Sequence, residues 1–302
     1  MSAQSFTAVY HDLAEAVKDI WGQSVKIKSR QSVFGGDINE SYHLLLTNGE
    51  EAFVKINRKA KEDFFRAEAN GLAAMGNAGA NVPKVLGYGK TADGAMFLLL
   101  DYEKNTFKAN DYWSLLGQML ANMHQSDTAK FAKNGIFGFC EDNFIGLTEQ
   151  INSPKSDWTE FFRDARLGTQ MKLADHCFDK NDRERCQHLL DRLGDFLTNP
   201  KYPSLLHGDL WSGNVMTDRN GRPMLIDPAV YVGHHEADLA MTELFGGFSS
   251  AFYGAYYEII PKDPGYEDRR DIYNLYHLLN HLNLFGGSYL ASVRRILKKY
   301  MG

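Results

Sequence analysis

Leu205-Leu206-His207-Gly208-Asp209-Leu210-Trp211-Ser212-Gly213-Asn214, followed by Met224-Leu225-Ile226-Asp227, is the stretch on which the reading of this chain turns. An apolar, strand-like run ends at Leu206, and Gly208 opens a loop closed on its far side by Gly213. Asp209 sits inside the loop, and Asn214 follows five residues later. Asp227 ends the next apolar strand, where its side chain can face the same cleft. Asn220-Gly221 is the turn of a short strand–turn–strand over 214–226, since Asn-Gly tolerates the positive φ a tight turn demands.

Two carboxylates and a carboxamide at these offsets admit two readings. Asx residues cap turns. Phosphoryl transfer, alternatively, needs a carboxylate to take the proton of an attacking hydroxyl and oxygen ligands for Mg²⁺ on the phosphates. The offsets match the catalytic loop of kinases, with Gly208 where the Arg of His-Arg-Asp stands. On that resemblance Asp209 is the base, and Asn214 and Asp227 bind metal.

The first hundred residues carry a matching half. In Ala52-Phe53-Val54-Lys55-Ile56-Asn57-Arg58, Lys55 lies on a strand with apolar neighbours and can reach nucleotide phosphates. Glu68, on the helix that follows, is the residue to hold its ammonium; a surface lysine and a solvated glutamate are the plain alternative. Gly35 and Gly36, in Val33-Phe34-Gly35-Gly36-Asp37-Ile38-Asn39-Glu40, occupy the place of a phosphate loop, although a Gly-Gly hairpin turn explains them equally well. Leu100-Asp101-Tyr102 leaves the last strand of this half, where a kinase hinge offers backbone groups to adenine and where a plain connector would also run.

Periodicity predicts helices over 5–20 and 61–75, with strands over 25–33, 42–46, 52–56, 84–88 and 95–102. From about residue 110 the pattern turns helical, over 111–125, 156–176, 181–198, 267–283 and 288–300. The expected class is α+β, a bilobal protein-kinase-like fold. Residues 1–103 form a nucleotide-binding lobe, a small mixed sheet with one long helix, and residues 104–302 form a mostly helical catalytic and substrate-binding lobe.

A net charge of −5 argues against a nucleic-acid backbone binder. No secretory signal or membrane-length apolar run is visible, so a cytoplasmic protein with no membrane partner is expected, and a monomer. Cys140, Cys177 and Cys186 lack metal-ligand spacing and read as reduced thiols. His234, His235, His277 and His281 show no zinc-like context.

The run from His207 to Asn214, then Ile226-Asp227-Pro228-Ala229-Val230-Tyr231, then Glu236 through Phe248, resembles the fructosamine/ketosamine-3-kinase family, as do the Lys55 strand and the Gly35-Gly36 loop. Some relatives carry cysteine where this chain has Asp37. The resemblance implies ATP and Mg²⁺ as cofactors and phosphorylation, usually at the sugar 3-hydroxyl, of ketosamines such as ribulosamine or fructosamine adducts. The product falls apart, a deglycation repair role. Trp211 then either stacks on the sugar or packs its own loop, and Glu243 either binds a substrate amine or hydroxyl or is solvated; Asp238 anchors the loop. The His207-Gly208-Asp209 segment alone is shared with aminoglycoside and choline kinases, which keeps those acceptors open, while the extended Leu-Trp-Ser-Gly-Asn and Asp-Pro-Ala-Val-Tyr stretches favour the ketosamine kinases. A silent pseudokinase is the third reading, opposed by the presence of Lys55, Glu68, Asp209, Asn214 and Asp227. Asp227-Pro228 in place of Asp-Phe-Gly opposes a protein kinase.

Overall fold

Strand alternation and two-sided burial explain the first lobe. The computed structural model describes residues 8–33, 38–132 and 136–302, so Gly35 and Gly36 lie outside the described residues. The elements run β1 (Ala8–Tyr10), α1 (Leu13–Trp21), β2 (Ile27–Ser32), β3 (Glu40–Leu46), β4 (Glu51–Asn57), α2 (Phe64–Asn77), β5 (Val85–Thr91) and β6 (Met96–Asp101). The six strands form one sheet in the order β1-β5-β6-β4-β3-β2, antiparallel except for the β1–β5 pair.

On β4, Ala52, Val54 and Ile56 turn to a small core under α1, while Phe53 packs against the larger core on the other side. The period of two therefore sends Lys55 and Asn57 to the α2 side with Phe53. β6 is apolar throughout because both its faces are covered: Phe97 and Leu99 join the small core, Met96, Leu98 and Leu100 the large one.

The expected helix over 5–20 is divided. Asp12 caps α1 by accepting a hydrogen bond from the Glu15 N–H (2.9 Å), which fixes the helix start at Leu13. Residues 8–10 pair with β5 instead, admitted by Gly89, where a Cβ would stand 2.8 Å from the Ala8 carbonyl oxygen.

The second lobe comprises α3 (Tyr112–His124), the hairpin β7 (Asn143–Ile145) and β8 (Thr148–Gln150), α4 (Trp158–Phe161), α5 (Thr169–Leu173) and α6 (Lys180–Asp191). There follow β9 (Ser204–Leu206), β10 (Val215–Thr217), β11 (Pro223–Leu225), β12 (Tyr231–Gly233), α7 (Glu236–Leu244), α8 (Ser250–Ile259), α9 (Tyr266–Phe285) and α10 (Leu290–Met301). The helix expected over 156–176 is interrupted: α4 and α5 are joined by wide π-helical turns over Phe162–Gly168. α8 was not expected; it lies on α3 through Gly117, whose missing Cβ would clash with the Phe252 carbonyl oxygen at 2.3 Å. One apolar core runs from α2 and the inner face of β6 through α3, α7 and α9 to α10. Cys186 is buried in it and Cys177 packs at its margin. No helix among the described residues is long and apolar enough to cross a membrane.

Candidate active site

Asp209 hangs from β9, and the loop carrying it is held from beneath by one buried carboxylate. Asp238, on α7, accepts hydrogen bonds from the His207 N–H (2.7 Å, at Oδ2) and the Gly208 N–H (2.9 Å, at Oδ1). His124, at the end of α3, reaches the same carboxylate through Nε2 (3.1 Å) and Tyr256 through Nδ1 (2.8 Å). Burial pushes the Asp238 carboxyl up, but His124, His207 and the loop amide outweigh it and hold the group below the usual carboxylate range. The expectation that Asp238 anchors this loop matches these contacts.

Gly208 is required where it stands. Its φ is +81°, and a Cβ there would lie 2.0 Å from the Ala229 carbonyl oxygen. The close approach lets Ala229 N–H bond the His207 carbonyl (2.8 Å). Gly208→Ala is expected to cost on the order of 2–3 kcal/mol, read from urea unfolding, because strain and backbone overlap both oppose it.

His207 donates through Nε2 to the Ile226 carbonyl (2.9 Å), leaving Nδ1 to accept the Asp209 N–H (3.2 Å). A single neutral tautomer satisfies both bonds, and burial lowers the ring's pKa accordingly. Asn214 donates through Nδ2 to the Asp209 carbonyl (2.8 Å) and to Asp209 Oδ2 (3.1 Å). Its amide oxygen is thereby turned away from Asp209. Burial raises the Asp209 carboxyl to about 7, with Asp227 and Asp238 adding to the rise and the Asn214 amide opposing it. A carboxyl so poised is a base matched to neutral pH.

Lys55 brings the two lobes together. Its ammonium bonds Glu68 Oε1 at 2.6 Å and pairs with Asp227 Oδ1, which follows β11 across the cleft. Burial pulls the lysine's pKa down, but the two carboxylates outweigh it and keep the group charged. Burial pushes the Glu68 carboxyl up, against the pull of Lys55. Asp227 keeps the exposed side of its carboxylate toward solvent at a left-handed backbone angle, φ +55°. An amide oxygen and a partly open carboxylate are hard donors of the kind Mg²⁺ takes, so Asn214 and Asp227 fit that ion.

The remaining expected residues are placed as follows. Leu100 is buried between Phe53 and Val85 of its neighbouring strands. Asp101 accepts the Lys84 N–H (2.5 Å), and Tyr102 stacks on His43 with ring centres 3.9 Å apart. The linker beyond is stitched to the β10–β11 hairpin by the Thr106 N–H to Thr217 Oγ1 (2.8 Å) and Thr106 Oγ1 to the Asp218 carbonyl (2.8 Å). Trp211 is 39% exposed and stands edge-on to Phe245 (6.3 Å), so it neither packs wholly into the lobe nor lies free of it. Glu243 is not simply solvated: it accepts from Tyr266 Oη (2.7 Å) and from Arg270 (2.7 Å).

Three supports were not legible in the sequence. Asn57 accepts the Lys59 and Ala60 N–H groups through Oδ1 and donates to the Ile38 carbonyl (3.2 Å) and Asn39 (2.9 Å), tying the Lys55 strand to the start of β3. Gln150 donates to the Ala229 carbonyl (3.0 Å) and Asn143 to the Val230 carbonyl (2.7 Å), so the β7–β8 hairpin holds the segment after Asp227. His124 lies far from the motif in sequence, and the Asn143 and Gln150 contacts fall on the Val230 and Ala229 carbonyls, backbone acceptors that side-chain identity does not reveal.

Comparisons with known proteins bear on the family and the fold. The fructosamine kinase family model matches residues 9–302. A Synechocystis (strain PCC 6803) protein named as a probable ketoamine kinase is 40% identical over 304 residues, covering 97% of each chain. A chloroplastic protein-ribulosamine 3-kinase of Oryza sativa subsp. japonica is 40% identical over 283 residues, 93% of this chain and 81% of the relative. Among solved structures, one from Haemophilus somnus 129PT designated a candidate fructosamine-3-kinase superposes with a TM-score of 0.84 at 28% identity, covering 96% of this chain and 97% of the other. With the architecture kinase-like and the family model matched over residues 9–302, this chain belongs to the fructosamine kinase family.

Proposed function

We propose that this protein transfers the γ-phosphoryl group of ATP to a sugar hydroxyl, the 3-hydroxyl, of ketosamines such as ribulosamine or fructosamine adducts, and so begins their removal from amines. The observation that carries the reading is the convergence of Lys55, Glu68 and Asp227 from two lobes, with Asp227 contributing to the charge environment of Asp209. Asp209 accepts the hydroxyl proton and orients the oxygen; Lys55, held by Glu68, meets the phosphates. Asn214 and Asp227 would hold Mg²⁺, which would neutralise phosphate charge when bound. A nucleotide bound between residues 1–103 and 104–302 would have Leu100, Asp101 and Tyr102 available to its base and Lys55 to its phosphates, and Gly35 and Gly36 are proposed, on sequence alone, as further phosphate contacts.

A polycationic aminoglycoside is the weaker reading of the acceptor. Such a ligand needs carboxylates to spare, and the nearby acids are engaged: Glu236 by Arg269 (2.6 and 2.7 Å), Asp238 by the loop, Glu243 by Arg270 and Tyr266. ADP release in the presence of Mg²⁺ should be seen with ribulosyl-, erythrulosyl- or fructosyl-lysine and stay at background with kanamycin and choline. Preference for either of the last two over every ketosamine would reverse the assignment.

A further inference from the structure

Beyond Trp211, aromatic rings continue outward from the catalytic loop. Trp211 meets Phe245 (6.3 Å between ring centres), Phe245 meets His281 (5.1 Å), and His281 meets both Phe285 (5.5 Å) and Tyr289 (5.1 Å). Three of them are open to solvent: Trp211 by 39%, Phe245 by 43% and Phe285 by 49%. Most large hydrophobic side chains of this protein are buried, so a connected, exposed row requires an explanation.

The row is built, not incidental. A Cβ at Gly213 would overlap the Trp211 ring at 2.3 Å, so that glycine lets the indole fold over its own loop. Gly247, at φ +97°, lets Ser212 approach to where a Cβ would be 2.7 Å away, which seats Phe245 beside the catalytic loop. At the other end, Leu284 and Ile38 meet over Gly146, at 2.8 and 3.3 Å from where its Cβ would be. Ile38 leads into β3 of the first lobe, so the Phe285 end of the row adjoins, through Leu284, a contact with that lobe.

Its chemistry is uniform. Residues 210–217, 244–257 and 272–293 contain no Asp, Glu, Lys or Arg. His281 donates from Nδ1 to the His277 carbonyl (2.8 Å), and burial favours its neutral ring. Such rings attract flat or aliphatic groups and carry no formal charge of their own.

Building on the ketosamine reading, we propose that Trp211, Phe245, His281, Phe285 and Tyr289 form the subsite for the substituent on the acceptor's amine, and select ketosamines whose amine carries an apolar or aromatic group. The sugar sits by Asp209 and the amine substituent extends along the row.

The test compares fructosyl- or ribulosyl-benzylamine with the same sugar on methylamine. The wild-type kcat/KM should favour the benzylamine adduct, and Phe245→Ala and Phe285→Ala should each lower that preference by about fivefold, mainly through KM, the worth of one aromatic contact. Phe285 is remote from the catalytic loop, so its variant reads the subsite even if Phe245→Ala folds poorly. Phosphorylation of both adducts with no preference, or a preference unchanged in both variants, overturns the subsite while leaving the ketosamine reading intact. Absence of phosphorylation with either sugar removes both. A wild-type dimer in sedimentation that Phe285→Ala dissociates would assign the row to a second copy of the chain and overturn the proposal.

Discussion

Asp209→Asn is expected to lower kcat by about 10³-fold while leaving ATP binding nearly unchanged, and at the same time to make the ligand-free protein more stable at neutral pH. The two effects share one cause. Burial raises the Asp209 carboxyl to about 7, so the folded chain keeps a proton that the unfolded chain has released. Between about pH 4 and pH 7 the native state therefore binds more protons, and stability falls as pH rises through that window. The ionised carboxylate costs on the order of 2–4 kcal/mol at full development. Asparagine fits the same place, keeps the Asn214 contact and removes the titration. Thermal unfolding at pH 5 and pH 7.5 should show a decline in wild type that flattens in the variant. An unchanged turnover would remove Asp209 from its role; a parallel decline in both proteins would show that the carboxyl is not shifted.

Asp238→Ala is expected to destabilise the protein by about 3–5 kcal/mol and to abolish turnover in whatever remains folded. The carboxylate is 1% exposed and satisfies two loop N–H groups and His124 together. Truncation leaves all three donors buried without that acceptor. Because the carboxyl is held below its ordinary range, its contribution is present above about pH 4 and is lost on acidification through the lower, folded-state value. Urea midpoints give the stability term, and nucleotide affinity measured below the unfolding transition separates it from catalysis. Normal turnover in a stably folded Asp238→Ala protein would mean that the loop is positioned by other contacts.

The catalytic constellation was legible because its chemistry is local: His207 to Asn214 and Asp227 lie within one short stretch, and strand alternation alone turns Lys55 toward α2. Contacts made across long sequence separations were not. His124 and Asp238 are 114 residues apart, and nothing in either neighbourhood announces the pair. The three-residue strands β7, β8 and β12 are too short for a period to register, and they are defined by partners rather than by composition. The hairpin of β7 and β8 fell in a stretch with no reading at all, although it holds the segment after Asp227. α8, with Phe252, Tyr253, Tyr256 and Tyr257 spread around it, lacks the polar face that marks a helix at the surface. At the N-terminus, helical spacing through 5–20 was overridden by one capping aspartate and by a glycine in a neighbouring strand.

The continuity of the large core across both lobes has an architectural consequence. Because the apolar faces of α2 and β6 are completed by side chains from the helical part, the first hundred residues do not constitute a cassette that could be exchanged between enzymes. Diversification of such a chain is channelled to places that core does not reach, the rim where aromatic rings already stand in water.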